Sequence, residues 1–260
     1  MKQKIKVAAV SYLNTKPLLY GLEQFPIRDK IALRVDYPAK IGQELIDDEV
    51  DLGLIPVALI PYLKESHIIT DYCIGAEGAV GSVFIFSEVP IEQVEDIYMD
   101  YQSRSSVALA QMLMQDYWKV SPRPLDAHPG FEKKVGGKTA AVIIGDRALR
   151  QLRQNKYVYD LGEYWVKLTG LPMVFAAWVA NKALPEAFIE QFNTATGYGT
   201  KGTALDTVIA AHHIDYFDLR EYYNRYLSFD LTEEKKSGLQ LFLQKLKAQQ
   251  ASAPFRTNRG

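Results

Sequence analysis

Cysteine is nearly absent: Cys73 is the single one in 260 residues. An intrachain disulfide is therefore excluded, as is a cluster ligated by three or four thiolates of this chain, and a reducing, cytoplasmic setting is expected. Charge of one sign is equally scarce. Against 31 Asp+Glu stand 30 Lys+Arg, a formal net charge of −1, with no long basic block, so a nucleic-acid partner is not expected. No stretch approaches the roughly 20 apolar residues of a membrane span. The apolar run Ile5–Val10 is too short for a signal segment, so neither export nor a membrane partner is expected. The four histidines, His67, His128, His212 and His213, lack ligand spacing, and no metal is expected. Glycine and proline, 17 and 12 residues, are too few for a low-complexity chain.

What the chain has is apolar mass: it is 48% hydrophobic, with 11 Phe, 16 Tyr and 3 Trp. A core large enough for one big domain or two smaller lobes follows. Ile5–Val10 reads as a buried strand, Ile31 to Tyr37 as an alternating one stopped by Pro38, and Val50 to Ile55 as a third. Between them lie a helix entered at Thr15 and Pro17, and an amphipathic helix from Ala39 to Asp48 with Ile41, Leu45 and Ile46 on one face. Strands alternating with helices of about ten residues predict a largely parallel sheet. A helix from Pro56 to Lys64 and strands at Ile68 to Cys73 and Ser82 to Phe86 complete this part.

A second, similar unit follows: strand Ile97 to Asp100, helix Ser105 to Trp118, strand Thr139 to Ile144, helix Arg147 to Arg153, strand Met173 to Ala180. After Pro185 the chain reads almost wholly as helix, with Leu239, Phe242, Leu243 and Leu246 at helical spacing. Ala251 to Gly260 reads as an extension with little to bury. We expect an α/β protein of two lobes, residues 1–87 plus 181–260 and residues 88–180. The crossing strands are predicted at Ser82 to Phe86 and Met173 to Ala180, with a ligand cleft between the lobes.

Two patterns are discarded. Gly197-Tyr198-Gly199-Thr200-Lys201-Gly202 fits a dinucleotide fingerprint but follows a helix, so it predicts a helix–helix turn. Gly137-Lys138-Thr139 precedes its strand and predicts a turn. Two polar loops remain. In Ser11-Tyr12-Leu13-Asn14-Thr15, Thr15 suffices as a helix cap, which leaves Ser11 and Asn14 free to face a ligand; a loop that only caps is the other reading. In Ser103-Arg104-Ser105-Ser106, hydroxyls, free N–H groups and one guanidinium make a carboxylate or phosphate cradle, or else a cap beside an exposed arginine. Asp146, at the equivalent strand end of the second unit, faces the cleft or caps its helix.

Val10-Ser11-Tyr12-Leu13-Asn14-Thr15-Lys16-Pro17-Leu18 resembles the opening signature of the chorismate dehydratase family of the futalosine route to menaquinone. The resemblance continues, in order, through Asp51-Leu52-Gly53-Leu54-Ile55-Pro56, Gly81-Ser82-Val83, Ser103-Arg104-Ser105-Ser106, Ile144-Gly145-Asp146, Asp160-Leu161-Gly162-Glu163 and Thr169-Gly170-Leu171-Pro172. It implies a fold similar to type II periplasmic binding proteins, with mixed sheets and an interlobe ligand cleft. It implies loss of water from chorismate, a small dicarboxylate, to give 3-[(1-carboxyvinyl)oxy]benzoate, without metal or cofactor. It implies Asn14 as the catalytic residue, with Ser11, Tyr12, Ser82, Ser103, Arg104, Ser105, Ser106 and Asp146 around the substrate. The competing reading is a non-catalytic cytosolic carboxylate-binding or sensor protein of the same fold.

Overall fold

The computed structural model describes residues 4–252, and the chain builds two sheets. First come β1 (Ile5–Val10), α1 (Lys16–Gln24), β2 (Ile31–Asp36), α2 (Pro38–Ile46), β3 (Leu52–Pro56) and β4 (His67–Ala76). There follow β5 (Val83–Ser87), β6 (Asp96–Met99), α3 (Arg104–Leu113), β7 (Arg123–Asp126), β8 (Thr139–Ile144), α4 (Gly145–Gln151), β9 (Tyr157–Asp160) and α5 (Leu161–Thr169). The return comprises β10 (Met173–Ala180), α6 (Glu186–Tyr198), α7 (Gly202–Ala211), α8 (Leu219–Glu221), β11 (Ser228–Asp230) and α9 (Glu233–Ser252).

One sheet has the order β11-β4-β10-β3-β1-β2, the other β7-β6-β8-β5-β9. β1 runs parallel to β2 and β3, as two β-α-β units require, whereas β10 is inserted antiparallel between β3 and β4. The second sheet repeats the device: β6 is parallel to β7 and β8, and β5 is antiparallel to both β8 and β9. In each sheet the inserted strand is the first one the chain forms after crossing over. Val7 to Val10 and almost every residue of β10 are buried, because strands covered by helices on both faces read as continuous apolar runs.

These pairings correct both expected lobe boundaries. The runs at 82–86 and 173–180 are strands, but neither spans the lobes. β5 belongs wholly to the five-stranded sheet and β10 wholly to the six-stranded one. The chain crosses in the segments before them, 77–82 and 170–172, rather than at 87/88 and 180/181. An apolar run buried on both faces satisfies either sheet, and only the pairing assigns it.

Other differences have local causes. The expected helix over Pro56–Lys64 is a 3₁₀ segment, Val57–Tyr62, with Pro61 inside it. Proline withdraws an N–H and clashes with the preceding turn, which blocks an α-helix there. α3 loosens into a π-helical turn over Met114–Trp118 and stops at Lys119, whose φ is 57°. The expected extension at 251–260 lies, beyond residue 252, outside the described residues. No helix among the described residues is long and apolar enough to cross a membrane.

The glycine pattern at 197–202 is the helix–helix turn expected of it. It closes α6 and opens α7, and two of its glycines mark close packing while Gly202 turns the chain with a φ of +61°. A Cβ on Gly197 would enter the Tyr72 ring, and one on Gly199 would meet the Pro17 carbonyl oxygen of α1. Gly199→Ala should therefore destabilise the fold by about 1–3 kcal/mol, the usual cost of overpacking, measured by urea unfolding. An unchanged midpoint would contradict this contact.

Candidate functional site

The loop between β1 and α1 is held residue by residue. Thr15 makes no side-chain cap for α1; its hydroxyl donates back to the carbonyls of Val10 and Tyr12, at 2.7 Å each. Leu13 is gripped at both ends, its N–H donating to Asp146 Oδ1 at 3.2 Å and its carbonyl accepting from the Tyr223 hydroxyl at 2.8 Å. The Tyr12 hydroxyl donates to Gln102 Oε1. Asn14 differs: its Oδ1 is buried and has no partner. A buried carbonyl left unpaired costs on the order of 1–3 kcal/mol, and on a cavity wall such an orphan is open to a donor from a ligand.

Asn14 opens into a cavity of about 50 Å³ whose wall is drawn from both lobes. Tyr12, Asn14, Thr15, Pro38, Pro56, Phe175 and Ala176 face it from one side, and Ser82, Val83, Ser103, Ser106 and Gly145 from the other. Ser82 Oγ accepts a 2.6 Å bond from the fully buried Tyr222 hydroxyl. An accepting serine keeps its own hydrogen, which Ser82 is then free to give to a ligand. Ser103 caps α3 by accepting from Ser106 N at 3.2 Å, so the first turn of α3 adds N–H donors to the cavity rim.

Two buried carboxylates hold this wall. Asp160 accepts from Val80 N (3.0 Å) and Gly81 N (2.8 Å), which lead into Ser82, and from Gly162 N (2.9 Å) and Glu163 N (3.1 Å) at the start of α5. Asp100 takes both oxygens to Arg147 Nη2 at 2.8 Å and also accepts from Gln102 N and Ile144 N. Burial pushes the Asp100 carboxyl up, and Arg147 and the two N–H groups oppose it. Burial acts to lower Arg147, but Asp100 outweighs it and the guanidinium stays above its ordinary range. Arg147 also meets Glu132 and lies 5.3 Å from the Tyr101 ring centroid. Burial pushes the Tyr12 phenol well above its usual range, against the nearby Arg147, so it remains a neutral donor.

Of the residues singled out in the sequence, the structure brings Tyr12, Asn14, Ser82, Ser103 and Ser106 to one cavity. It does not bring four others there. Ser11 is exposed, and its N–H bonds the Asp36 carbonyl. Arg104 is exposed on the first turn of α3, outside the cavity wall. Ser105 is buried, with its hydroxyl accepting from Ala58 N at 3.1 Å. Asp146 is spent on Leu13 N and does not cap α4. Arg147, Gln102, Tyr222 and Tyr223 were not anticipated. Arg147 stands one residue after Asp146, which is the only local hint; the two tyrosines carry none.

A family model for menaquinone biosynthesis matches residues 5–248. A chorismate dehydratase of Thermus thermophilus is 26% identical over 200 residues, 67% of this chain and 69% of that protein. Among solved structures, a protein from Archaeoglobus fulgidus superposes with a TM-score of 0.73 at 13% identity, over 96% of this chain and 98% of its own. A Candida albicans gene product, described as having the generic periplasmic binding protein structural fold, gives a TM-score of 0.61 at 12% identity, over 95% and 90% of the two chains. At such identities the structures speak for the fold, which is α/β and periplasmic-binding-protein-like.

Asp160→Ala would strand four backbone donors, each buried unsatisfied donor costing about 1–3 kcal/mol. We expect stability to urea to fall by about 3 kcal/mol or more on that basis. A loss below about 1 kcal/mol, the size of a lost helix cap alone, would contradict its role in holding residues 80–82.

Proposed function

Because this chain belongs to the menaquinone biosynthesis family, we propose that it is a chorismate dehydratase, a hydro-lyase acting in the cytoplasm on the futalosine route. Chorismate would lose the proton from the ring carbon bearing the enol ether and the hydroxyl from the neighbouring carbon. The products are 3-[(1-carboxyvinyl)oxy]benzoate and water. The product ring is aromatic, so the elimination is downhill and only its barrier needs lowering.

The observation that carries this reading is the chemistry of the cavity wall. Tyr12, Asn14, Thr15, Ser82, Ser103 and Ser106 supply its polar groups, and among the described residues no Asp, Glu, Lys, Arg, His or Cys lines it. An amide or a hydroxyl at its ordinary pKa is too weak to take the ring proton. A substrate that carries its own enolpyruvyl carboxylate beside that proton does not need a protein base. Well-oriented intramolecular groups reach effective molarities of about 10⁵–10⁸ M, equivalent to roughly 7–11 kcal/mol. The protein's task is then to hold the reactive conformer: Asn14 through its free amide, Ser82 through its free hydroxyl hydrogen, and the α3 N-terminus with Ser103 and Ser106 through donors to the other carboxylate. Arg104, Ser105, Ser11 and Asp146, placed as they are, take no direct part in this arrangement.

The 50 Å³ cavity is far below the roughly 300–1,000 Å³ of pockets that hold drug-sized ligands. The arrangement thus corresponds to a closed cleft that opens to admit chorismate and closes again around it. Closure excludes water and strengthens the contacts to both carboxylates.

Incubation with chorismate should produce a species lighter by one water in the mass spectrum. Asn14→Ala should abolish this conversion while leaving chorismate binding, measured by calorimetry, close to that of the parent. A fully active Asn14→Ala protein would contradict the role of Asn14. Binding by the parent without conversion would favour a carboxylate-binding protein instead.

A further inference from the structure

Building on the dehydratase reading, we propose that Asp146 and Tyr12 are positioning residues: they lock the loop that carries Asn14 to the opposite lobe, so that Asn14 is aimed into the cavity only when the cleft is closed. Their role follows from two contacts that cross between the lobes. Asp146 follows β8 in the five-stranded lobe, and Leu13 follows β1 in the six-stranded one, yet the Leu13 N–H donates to the Asp146 carboxylate at 3.2 Å. One residue earlier, the Tyr12 hydroxyl reaches Gln102, which lies between β6 and α3 of the opposite lobe. The Tyr12 ring also lies against Gly145, with Cδ2 only 3.0 Å from where a Cβ would stand. Gly145 has φ of +62° and is the one residue type that both adopts that backbone and leaves room for the ring.

These contacts bracket Asn14. On its N-terminal side Tyr12 and Leu13 are tied to the opposite lobe. On its C-terminal side Thr15 is tied within its own lobe to Val10 and Tyr12. Within this loop, the buried side-chain atom without a partner is Asn14 Oδ1. The cross-lobe ties cannot survive separation of the lobes, whereas the Thr15 and Tyr223 ties can. Opening therefore releases one side of the loop and closing restores it. The receiving surface is braced, because the buried Asp100 and the partly buried Glu132 both pair with Arg147 beside Gln102 and Gly145.

The bond to Leu13 is accepted from a neutral backbone amide, so it needs an oxygen and not a charge. Asp146 does not line the cavity, which leaves its charge no direct claim on a ligand. This separates a positioning role from a binding or catalytic one. Asp146→Asn keeps a carbonyl oxygen at the same place, and Asp146→Ala removes it. Tyr12→Phe keeps the ring on Gly145 and removes the hydroxyl.

With chorismate as substrate, Asp146→Ala and Tyr12→Phe should each lower kcat by about 10- to 100-fold with little change in KM, since misplacement by about 1 Å costs on the order of 10²-fold. Asp146→Asn should keep most of the parent's kcat. Hydrogen exchange supplies a readout that does not require turnover: the Leu13 amide should be protected in the parent and in Asp146→Asn, and should exchange faster in Asp146→Ala. Loss of activity in Asp146→Asn equal to that in Asp146→Ala would overturn the proposal, because charge would then be what matters. Unchanged Leu13 exchange in Asp146→Ala would overturn it as well. Should the parent fail to convert chorismate, the dehydratase reading falls while the exchange measurement still decides whether Asp146 holds this loop.

Discussion

The arrangement of both lobes rests on one buried carboxylate. Asp160 accepts from two N–H groups of the first crossing segment, Val80 and Gly81, and from two at the start of α5, the helix that leads to the second crossing. The first place where the chain changes sheets is thereby tied to the start of the helix that runs to the second. A buried carboxylate is costly unless its lone pairs are used, and here four backbone donors use them. Lys235 acts from the other face. Its buried ammonium donates to the Asp230 carbonyl at 2.6 Å and stands 3.5 Å from Glu77, at the start of the first crossing. The hinge is thus short and held from both sides, and the cavity forms directly beside it, at Val80, Ser82 and Val83.

On the dehydratase reading proposed above, a chain of near-zero net charge has to select an anion. With a formal charge of −1 there is no global field to attract one. Selectivity falls to neutral donors whose directions are set by the fold: the hydroxyl of a serine whose lone pair is taken by Tyr222, and the N–H groups in the first turn of α3. Such groups contribute most where water is excluded. The structure reserves its full charges for support. Asp100, Arg147 and Glu132 are paired with one another in the lobe that receives Tyr12, so the wall is stiff while the cavity itself stays neutral.

Much of the fold was legible in the sequence because its strands are apolar runs of distinctive length. β1, β8 and β10 coincide with the runs read as strands, and the turn at Gly197–Gly202 was readable from its context after a helix. What escaped was short, exposed or settled only by pairing. β7 is an edge strand containing Pro124, β9 alternates Tyr-Val-Tyr-Asp at the other edge, and β11 has three residues. The assignment of β5 and β10 to their sheets was misjudged because hydrophobicity says that a strand is buried, not against what. At the site, Asn14 and Ser103 were reached from the polar loops that carry them, and Ser82 through the family resemblance. The grip on Tyr12 was not, since its partner lies 90 residues away. Nor could the sequence tell which arginine turns inward: Arg104 is exposed, and Arg147 carries the buried pair.

The proposed elimination requires a single place where chorismate, Asn14 and the α3 N-terminus meet. A crystal structure of the Asn14→Ala protein with chorismate bound tests this most directly. The account predicts unreacted chorismate enclosed between the lobes, one carboxylate at the N–H groups of α3 and the ring beside position 14 and Ser82. Chorismate bound instead in an outer groove, such as the one between His67 and Lys236, with the interlobe cavity unchanged, would contradict it.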